Sequence, residues 1–402
     1  MQEKKTSVNF SYVKGVNQKL ILRTIYDKAT TSRAELSKQL SLSKPTISDN
    51  LSSFLNIGII EELGEGAVSE KGGRKPLLLK FNKKHKYIIA VDLNYSNPVF
   101  VLGNLKNEII SQFDIQISMN ASLDSYYTVI ENGINILLSS SGFDRKDLLC
   151  IAIASPGVFD EKGNLLSLNP SYGGVLWCTI DFRDLLQKKY NVNVIIKNDI
   201  KAATMGEWAY GAGIGANNLL YISCGVGLGA GIVLNSQLYE GILFNAGEIY
   251  NYLDASMLER GETLEDTLCM KYLIQNTVED IKAGKETCLK NCANNINFKS
   301  IVEAYNEKDP YILSKVKEVC IILCTLIFNF SNFLALDKVI FGGEYTVFGE
   351  TLLEEYKKKF QPRSNFVPEI RLAALNKNSG IHGLLYIARE AYFDFICNHN
   401  GV

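Results

Sequence analysis

Two stretches of this sequence carry residue types suited to chemistry. In the first, Asn198-Asp199 follows the apolar run Val192 to Lys197, which reads as a strand. A carboxamide and a carboxylate at the carboxyl end of a strand stand where open α/β sheets place their reactive groups. Further on, Cys224-Gly225-Val226-Gly227-Leu228-Gly229-Ala230-Gly231 follows a second strand, Asn218 to Ser223. Backbone amides in so glycine-rich a hairpin can approach a phosphate. A hairpin that needs small residues only for packing explains the run equally well. It is not a dinucleotide fingerprint, because the glycines lack the GxGxxG interval and Gly231 to Leu234 reads as strand, not helix. The other stretch is cationic. Lys71-Gly72-Gly73-Arg74-Lys75 is a flexible basic tip suited to phosphate or minor-groove contact.

The elements around that tip are those of a winged helix-turn-helix. Ile59 to Leu63 and Leu77 to Phe81 flank it as strands, which makes it a wing. Ser32-Arg33-Ala34-Glu35 has capping-box spacing and predicts a short helix to about Leu40. After a turn at Ser41 and Leu42, Ser43 caps a second helix whose first turn tolerates Pro45. Ile47, Leu51 and Leu55 form its buried stripe and Gly58 ends it. Ser43, Lys44, Thr46, Ser48 and Asn50 are then left near its exposed start, where a recognition helix meets bases and phosphates. Upstream, Asn17 is expected to cap a first helix carrying Ile21, Leu22 and Ile25.

Any small helical bundle satisfies the same apolar spacing, and charge separates the two readings. Residues 1–86 hold 16 Lys plus Arg against 8 Asp plus Glu, net +8, while the remaining 316 residues hold 26 against 35, net −9. A whole-chain net of −1 conceals this polarity. The first segment therefore expects an anionic partner that the acidic body would repel.

At 402 residues the chain suits a small domain plus two lobes. The boundaries expected are 1–86 for the DNA-binding domain and linker, 87–210 for a first lobe and 211–402 for a second, with the C-terminal helix a candidate to return to the first. From Tyr87 the pattern is a β-meander, then a helix from Leu123 to Leu138, a strand from Leu149 to Ala154 ending in Ser155-Pro156-Gly157, and a helix from Asp184 to Tyr190. No apolar run reaches the ~20 residues that span a bilayer, and Val319 to Phe328 reads as a buried helix. The N-terminus is polar and lacks a signal-peptide core, so a cytoplasmic location is expected. Nine scattered cysteines suit reduced thiols. Cys288 and Cys292, like Cys320 and Cys324, are four apart and read as helix-face packing. With only three histidines, none beside a cysteine cluster, no metal is assigned.

Taken in order, these features resemble the ROK family of repressors and sugar kinases, whose body has the two-lobed, actin-like, ribonuclease-H-like fold. The resemblance covers nearly the whole chain. Its carriers are Gly73-Arg74-Lys75-Pro76, Ser155-Pro156-Gly157, Asn169-Pro170, Asn198-Asp199, the glycine hairpin, Gly247-Glu248-Ile249 and Phe341-Gly342-Gly343. With the basic winged segment in front, the chain is similar to the repressor branch, typified by xylose and N-acetylglucosamine repressors.

The resemblance implies that Asp199 occupies the position of the kinases' catalytic base, that Asn169 matches a sugar-contacting Asn, and that Glu248 matches the Glu of the family's GEIGH motif. Asn198 belongs to the same set, and Glu265, in Gly261-Glu262-Thr263-Leu264-Glu265, is a third candidate sugar ligand. Two departures count against catalysis. Where the kinases have DxGGT, this chain has Asp92-Leu93-Asn94-Tyr95-Ser96-Asn97, which replaces both glycines of the first phosphate loop. The zinc motif is also missing, and Asn251 stands where its histidine would be. The pocket either binds another ligand with Asn251 and Tyr250 or has become structural. Retention of Asn169, Asp199 and Glu248 favours the first.

The resemblance thus implies a sugar-responsive repressor of carbohydrate-utilisation genes, a homodimer with operator DNA and a sugar effector as partners and with no cofactor. Sugar closing the cleft between lobes is expected to rotate the winged domains off their half-sites. The alternatives are an ATP-dependent sugar kinase with a DNA-binding head and a constitutive DNA-binding protein with an inert body.

Overall fold

A computed structural model of the chain describes residues 10–65, 75–93, 97–118, 122–140, 142–168, 180–252 and 255–398. The N-terminal segment runs α1 (Phe10–Asp27), β1 (Thr31–Ser32), α2 (Arg33–Leu40), α3 (Lys44–Asn56), β2 (Ile60–Glu65) and β3 (Leu77–Phe81), the strands forming an antiparallel sheet ordered β1-β3-β2. Local hydrogen bonding sets these boundaries. Ser32 Oγ accepts from Glu35 N at 3.3 Å while Glu35 Oε2 accepts from Ser32 N at 3.1 Å, which is the expected reciprocal cap of α2. Ser43 Oγ accepts from Thr46 N at 3.2 Å and opens α3, with Pro45 in its first turn.

Two details differ from expectation. Asn17 lies inside α1, which begins at Phe10, so it caps nothing; Ile21, Leu22 and Ile25 are nonetheless buried. On α3 the buried residues are Ile47, Asn50, Leu51 and Phe54, so the stripe ends on Phe54 and leaves Leu55 only half-buried.

The body repeats one plan twice. Its first half runs β4 (Tyr87–Asp92), β5 (Val99–Asn104), β6 (Ile109–Asp114), α4 (Leu123–Ser140), β7 (Leu148–Ser155), a β8/β9 hairpin (Val158–Phe159, Leu165–Ser167), α5 (Phe182–Tyr190), β10 (Asn193–Asn198) and α6 (Asp199–Tyr210). The second runs β11 (Leu219–Cys224), β12 (Leu228–Leu234), β13 (Gln237–Tyr239), α7 (Ala255–Arg260), α8 (Leu264–Leu268), α9 (Met270–Lys282), α10 (Phe298–Asn306), α11 (Pro310–Leu334), β14 (Lys338–Gly342), α12 (Gly349–Lys359), β15 (Glu369–Leu372) and α13 (Ser379–Asn398). The two five-stranded sheets read β10-β7-β4-β5-β6 and β15-β14-β11-β12-β13, each a three-strand meander extended by two later strands. In the second sheet the meander is antiparallel while β14 and β15 run parallel to β11. This is the expected actin-like, ribonuclease-H-like plan.

Val319, Cys320, Leu323, Cys324, Leu326 and Ile327 of α11 are buried against the second sheet's core, so the greasiest run is a packed helix. Among the described residues no helix is long and apolar enough to cross a membrane. Cys320 and Cys324 are buried on one helix, as spacing implied, but Cys288 begins a 3₁₀ stretch, Cys288–Asn295, where four residues overshoot a turn.

The chain forms two compact units. One comprises Met1–Ile153, Asp181–Ile195 and Leu385–Val402; the other comprises Ala154–Ile180 and Ile196–Leu384. Within the first, the winged segment is anchored to the later turns of α13. The Arg389 guanidinium donates to Tyr26 Oη at 2.5 Å and stacks at 4.5 Å over the Tyr26 ring and 4.9 Å over Tyr386. Tyr26, Phe81 and Phe393 meet edge to face. Lys19 pairs with Asp394, Arg23 with Glu390, and Lys106 caps the Tyr26 carbonyl. His85 meets Tyr392 Oη at 2.7 Å, and its burial and the nearby Lys86 hold its pKa down to about 4, so the ring is neutral there.

Candidate functional site

The exposed face of α3 begins at its cap. Lys44 and Ser48 point to solvent, while Ser43 and Thr46 bond to each other through their hydroxyls at 2.8 Å. Asn50 does not belong with them. It is 4 % exposed and its Nδ2 donates to the Thr46 carbonyl at 2.7 Å, because the helical period turns it toward the Ile47–Leu51 stripe. Of the wing residues, Lys75 is exposed at the foot of β3, whereas Lys71, Gly73 and Arg74 lie outside the described residues. Several other cations of the segment are tied down: Arg33 to Glu62, Lys83 to Glu108 and Lys86 to Asp147.

The second unit gathers the carboxylates. Asp199 opens α6, its Oδ1 accepting from Ile200 N at 2.9 Å, and burial pushes its pKa up to about 6 against the pull of backbone amides. Glu248 follows the turn at Gly247 and is pushed up to about 7, mainly by burial, with Asp199 and Glu265 adding repulsion and Lys201 opposing them. Glu265 is buried on α8, where Cys269 Sγ donates to its Oε1 at 3.8 Å. These three side chains therefore share one local field, although 66 positions separate the first from the last.

The other expected ligands are placed differently. Asn198 is committed to structure at both ends of its amide: Oδ1 accepts from Lys201 N at 3.0 Å, capping α6, and Nδ2 donates to the Gly157 carbonyl at 2.9 Å. Asn251 is exposed and bonded to Tyr250, whose phenol burial raises. Asn169 lies outside the described residues.

Sequence spacing missed what holds this cluster in place. Lys201 is 2 % exposed and donates to the Phe244 carbonyl at 2.5 Å, with Glu240 at 3.8 Å. Lys197 reaches both oxygens of Glu240 at 3.1 Å. Together they fasten the loop that delivers Glu248 to the end of β10 and the start of α6. Gly247 stitches that loop to β12: at φ 93, a Cβ there would meet the Ala230 carbonyl oxygen at 1.9 Å, so no larger residue fits. At the far end of α6, the buried carboxylate of Glu207 accepts from Ala212 N, Ala374 N, Leu375 N and Ser379 Oγ at 2.7–3.0 Å. That ties α6 to the start of α13. The only sequence trace of these bonds is two lysines and a glutamate inside otherwise apolar segments.

A cluster of carboxyls beside one buried ammonium can exchange several hydrogen bonds with hydroxyls, which is the chemistry of a carbohydrate clamp. Among the described residues no group of three or more His, Cys, Asp or Glu could hold a metal ion.

Comparison with known proteins supports both halves. Residues 88–391 match the model of the ROK family, and residues 16–61 match that of a winged helix-turn-helix DNA-binding segment. The chain is 28% identical over 368 residues to the xylose repressor of Caldicellulosiruptor bescii, covering 89% of this chain and 90% of that one. It is 26% identical over 318 residues to a glucokinase of Halalkalibacterium halodurans, covering 76% of this chain and 96% of the kinase. Among solved structures, a ROK family transcriptional regulator homologous to the E. coli MLC protein superposes with a TM-score of 0.78 at 20% identity, over 96% of this chain and 98% of that one. At that identity the likeness speaks for the fold.

Proposed function

This chain belongs to the ROK family, and from that premise we propose that it is a sugar-responsive DNA-binding repressor of carbohydrate-utilisation genes, acting in the cytoplasm, and not a sugar kinase. The observation that carries the reading is the joining, in one chain, of a capped winged helix-turn-helix with net +8 to a body that keeps Asp199, Glu248 and Glu265 in one field. The xylose repressors among its relatives make xylose the first sugar to test.

DNA contact is assigned to Lys44, Ser48, Thr46 and the capping Ser43 on α3, and to Lys71, Gly73, Arg74 and Lys75 on the wing. Asn50, buried on α3, is not among them. Sugar contact is assigned to Asp199, Glu248 and Glu265, with Asn169 and Asn251, while Asn198 acts by positioning Asp199 and the Gly157 turn. The head spans 1–86 and the lobes 87–210 and 211–402, with the end of the C-terminal helix returning to the first, a return that the grouping of Leu385–Val402 with the first unit supports. Two copies engage two half-sites, each α3 in a major groove with centres about 34 Å apart. Sugar releases the operator only by binding the DNA-incompetent form more tightly, since equal affinity for both forms moves no equilibrium.

The experiment is fluorescence anisotropy on DNA upstream of the protein's own operon, at fixed salt, across a sugar panel beginning with xylose. Tight binding relieved by one sugar fits the proposal. Binding that no sugar relieves contradicts it, and ATP consumption in the presence of any sugar points to the kinase alternative.

A further inference from the structure

The hairpin between β11 and β12 turns through Gly225-Val226-Gly227. The next glycine pair in the same sheet, Gly342-Gly343, closes over this turn from the end of β14. Gly343 sits at φ 82, and a Cβ on it would lie 2.4 Å from the Cys224 carbonyl oxygen, so the chain passes there only as glycine. This path delivers Glu344 onto the turn. A Cβ on Gly225 would lie 1.8 Å from Glu344 Oε2, and Val226 N donates to that same oxygen at 3.3 Å. The turn's neighbouring groups have backbone partners: Gly225 N donates to the Gly227 carbonyl at 3.0 Å, and the Gly225 carbonyl accepts from Met270 N at 2.7 Å. A glycine-lined turn holds its tip amide out to an anion. Here the anion is a carboxylate of the chain itself.

We propose that Glu344 is a built-in stand-in for phosphate, filling the anion position of the β11–β12 hairpin and keeping nucleotide polyphosphates out of the second unit. The inference rests on reading the body as a sugar sensor, and it supplies a physical cause for the absence of kinase activity in that reading. A triphosphate approaching the turn would have to displace a carboxylate whose backbone path is fixed by Gly343. The surroundings reinforce this. Burial is the main reason that Tyr221 and Cys224 resist ionisation, and the nearby Glu344 carboxylate adds to it at both. The carboxylate is solvent-exposed, so the same position tolerates neutral side chains.

The test is isothermal titration of the full chain with Mg·ATP for the wild type, Glu344→Gln and Glu344→Ala. Glu344→Gln removes the charge while keeping an oxygen for Val226 N, and Glu344→Ala opens the turn. Melting temperature and far-ultraviolet circular dichroism establish that each variant is folded. The wild type is expected to show no binding at millimolar ATP, with Glu344→Ala binding at least tenfold more tightly and Glu344→Gln in between. ATP binding by the wild type as tight as by Glu344→Ala overturns the proposal, as does no gain in either folded variant. Because ATP alone is the probe, a protein that ignores every sugar would sink the sensor reading without deciding this one.

Discussion

In the winged head, where long-range bonds such as Arg389 to Tyr26 only anchor the finished segment, the polar bonds that shape α2 and α3 join residues three or four apart: Ser32 with Glu35, Ser43 with Thr46, Asn50 with Thr46. In the second unit they span forty or more, Asn198 to Gly157 and Lys201 to Phe244, and reach 172 for Glu207 with Ser379. The head is therefore a set of local decisions, each worth about 1 kcal/mol for a cap, with function displayed outward as charge. The carboxylate cluster is one cooperative assembly in which loop, helix and strand hold each other through buried charges. A single loss there should spread, whereas a loss in the head should stay where it is made.

The sharpest way to break this contrast is Glu207→Ala. It leaves the amides of Ala212, Ala374 and Leu375 without their acceptor, at roughly 1–3 kcal/mol for each that stays shielded from water. We expect a larger fall in thermal stability than from any substitution in the head, with loss of sugar binding. Melting within a degree of the wild type would mean that the α6–α13 tie is decorative.

Next in size is the sugar response itself. Asp199→Asn or Glu248→Gln should weaken sugar binding at least tenfold, about 1.4 kcal/mol, while operator affinity changes less than twofold. The pH dependence sharpens this. Sugar hydroxyls donate best to ionised carboxylates, and burial raises Asp199 to about 6 and Glu248 to about 7. Affinity should accordingly rise from pH 5.5 to 8, and Asp199→Asn should lose the lower part of that rise. A flat wild-type profile, measured by calorimetry, would place the sugar elsewhere.

On the head, Arg74→Ala should weaken operator binding by about 1–2 kcal/mol and reduce the salt slope by about one counterion, leaving sugar affinity untouched. An unchanged salt slope would remove Arg74 from the wing contact. The smallest effect belongs to Ser32→Ala, which should cost about 1 kcal/mol of head stability without touching the pocket; a thermal melt that also shows weakened sugar binding would contradict the local character of the head.

The same contrast explains what the sequence made legible. The α2 capping box could be read because both partners sit within one turn, and the stripe of α3 because its period is local. Asn17 misled because a cap-forming residue inside a helix looks the same in sequence as one at its start, and α1 continues back to Phe10. Asn50 misled because a polar residue on the buried face is indistinguishable by type from one on the DNA face. In the body, the order of motifs identified the fold and placed Asp199 and Glu248 in one region. The partners of Lys201, Glu240, Glu207 and Glu344 could not be read, since they lie across the fold and only the folded backbone brings them together.

A sugar-responsive repressor requires an energetic link between the carboxylate cluster and the head, and linkage is reciprocal. The most direct measurement is the wild type's sugar dissociation constant by calorimetry, with and without saturating operator DNA. If sugar lowers operator affinity by some factor, operator must weaken sugar binding by the same factor, and the account predicts matching values of fivefold or more, about 1 kcal/mol or above. Identical sugar affinity in the two conditions would contradict it.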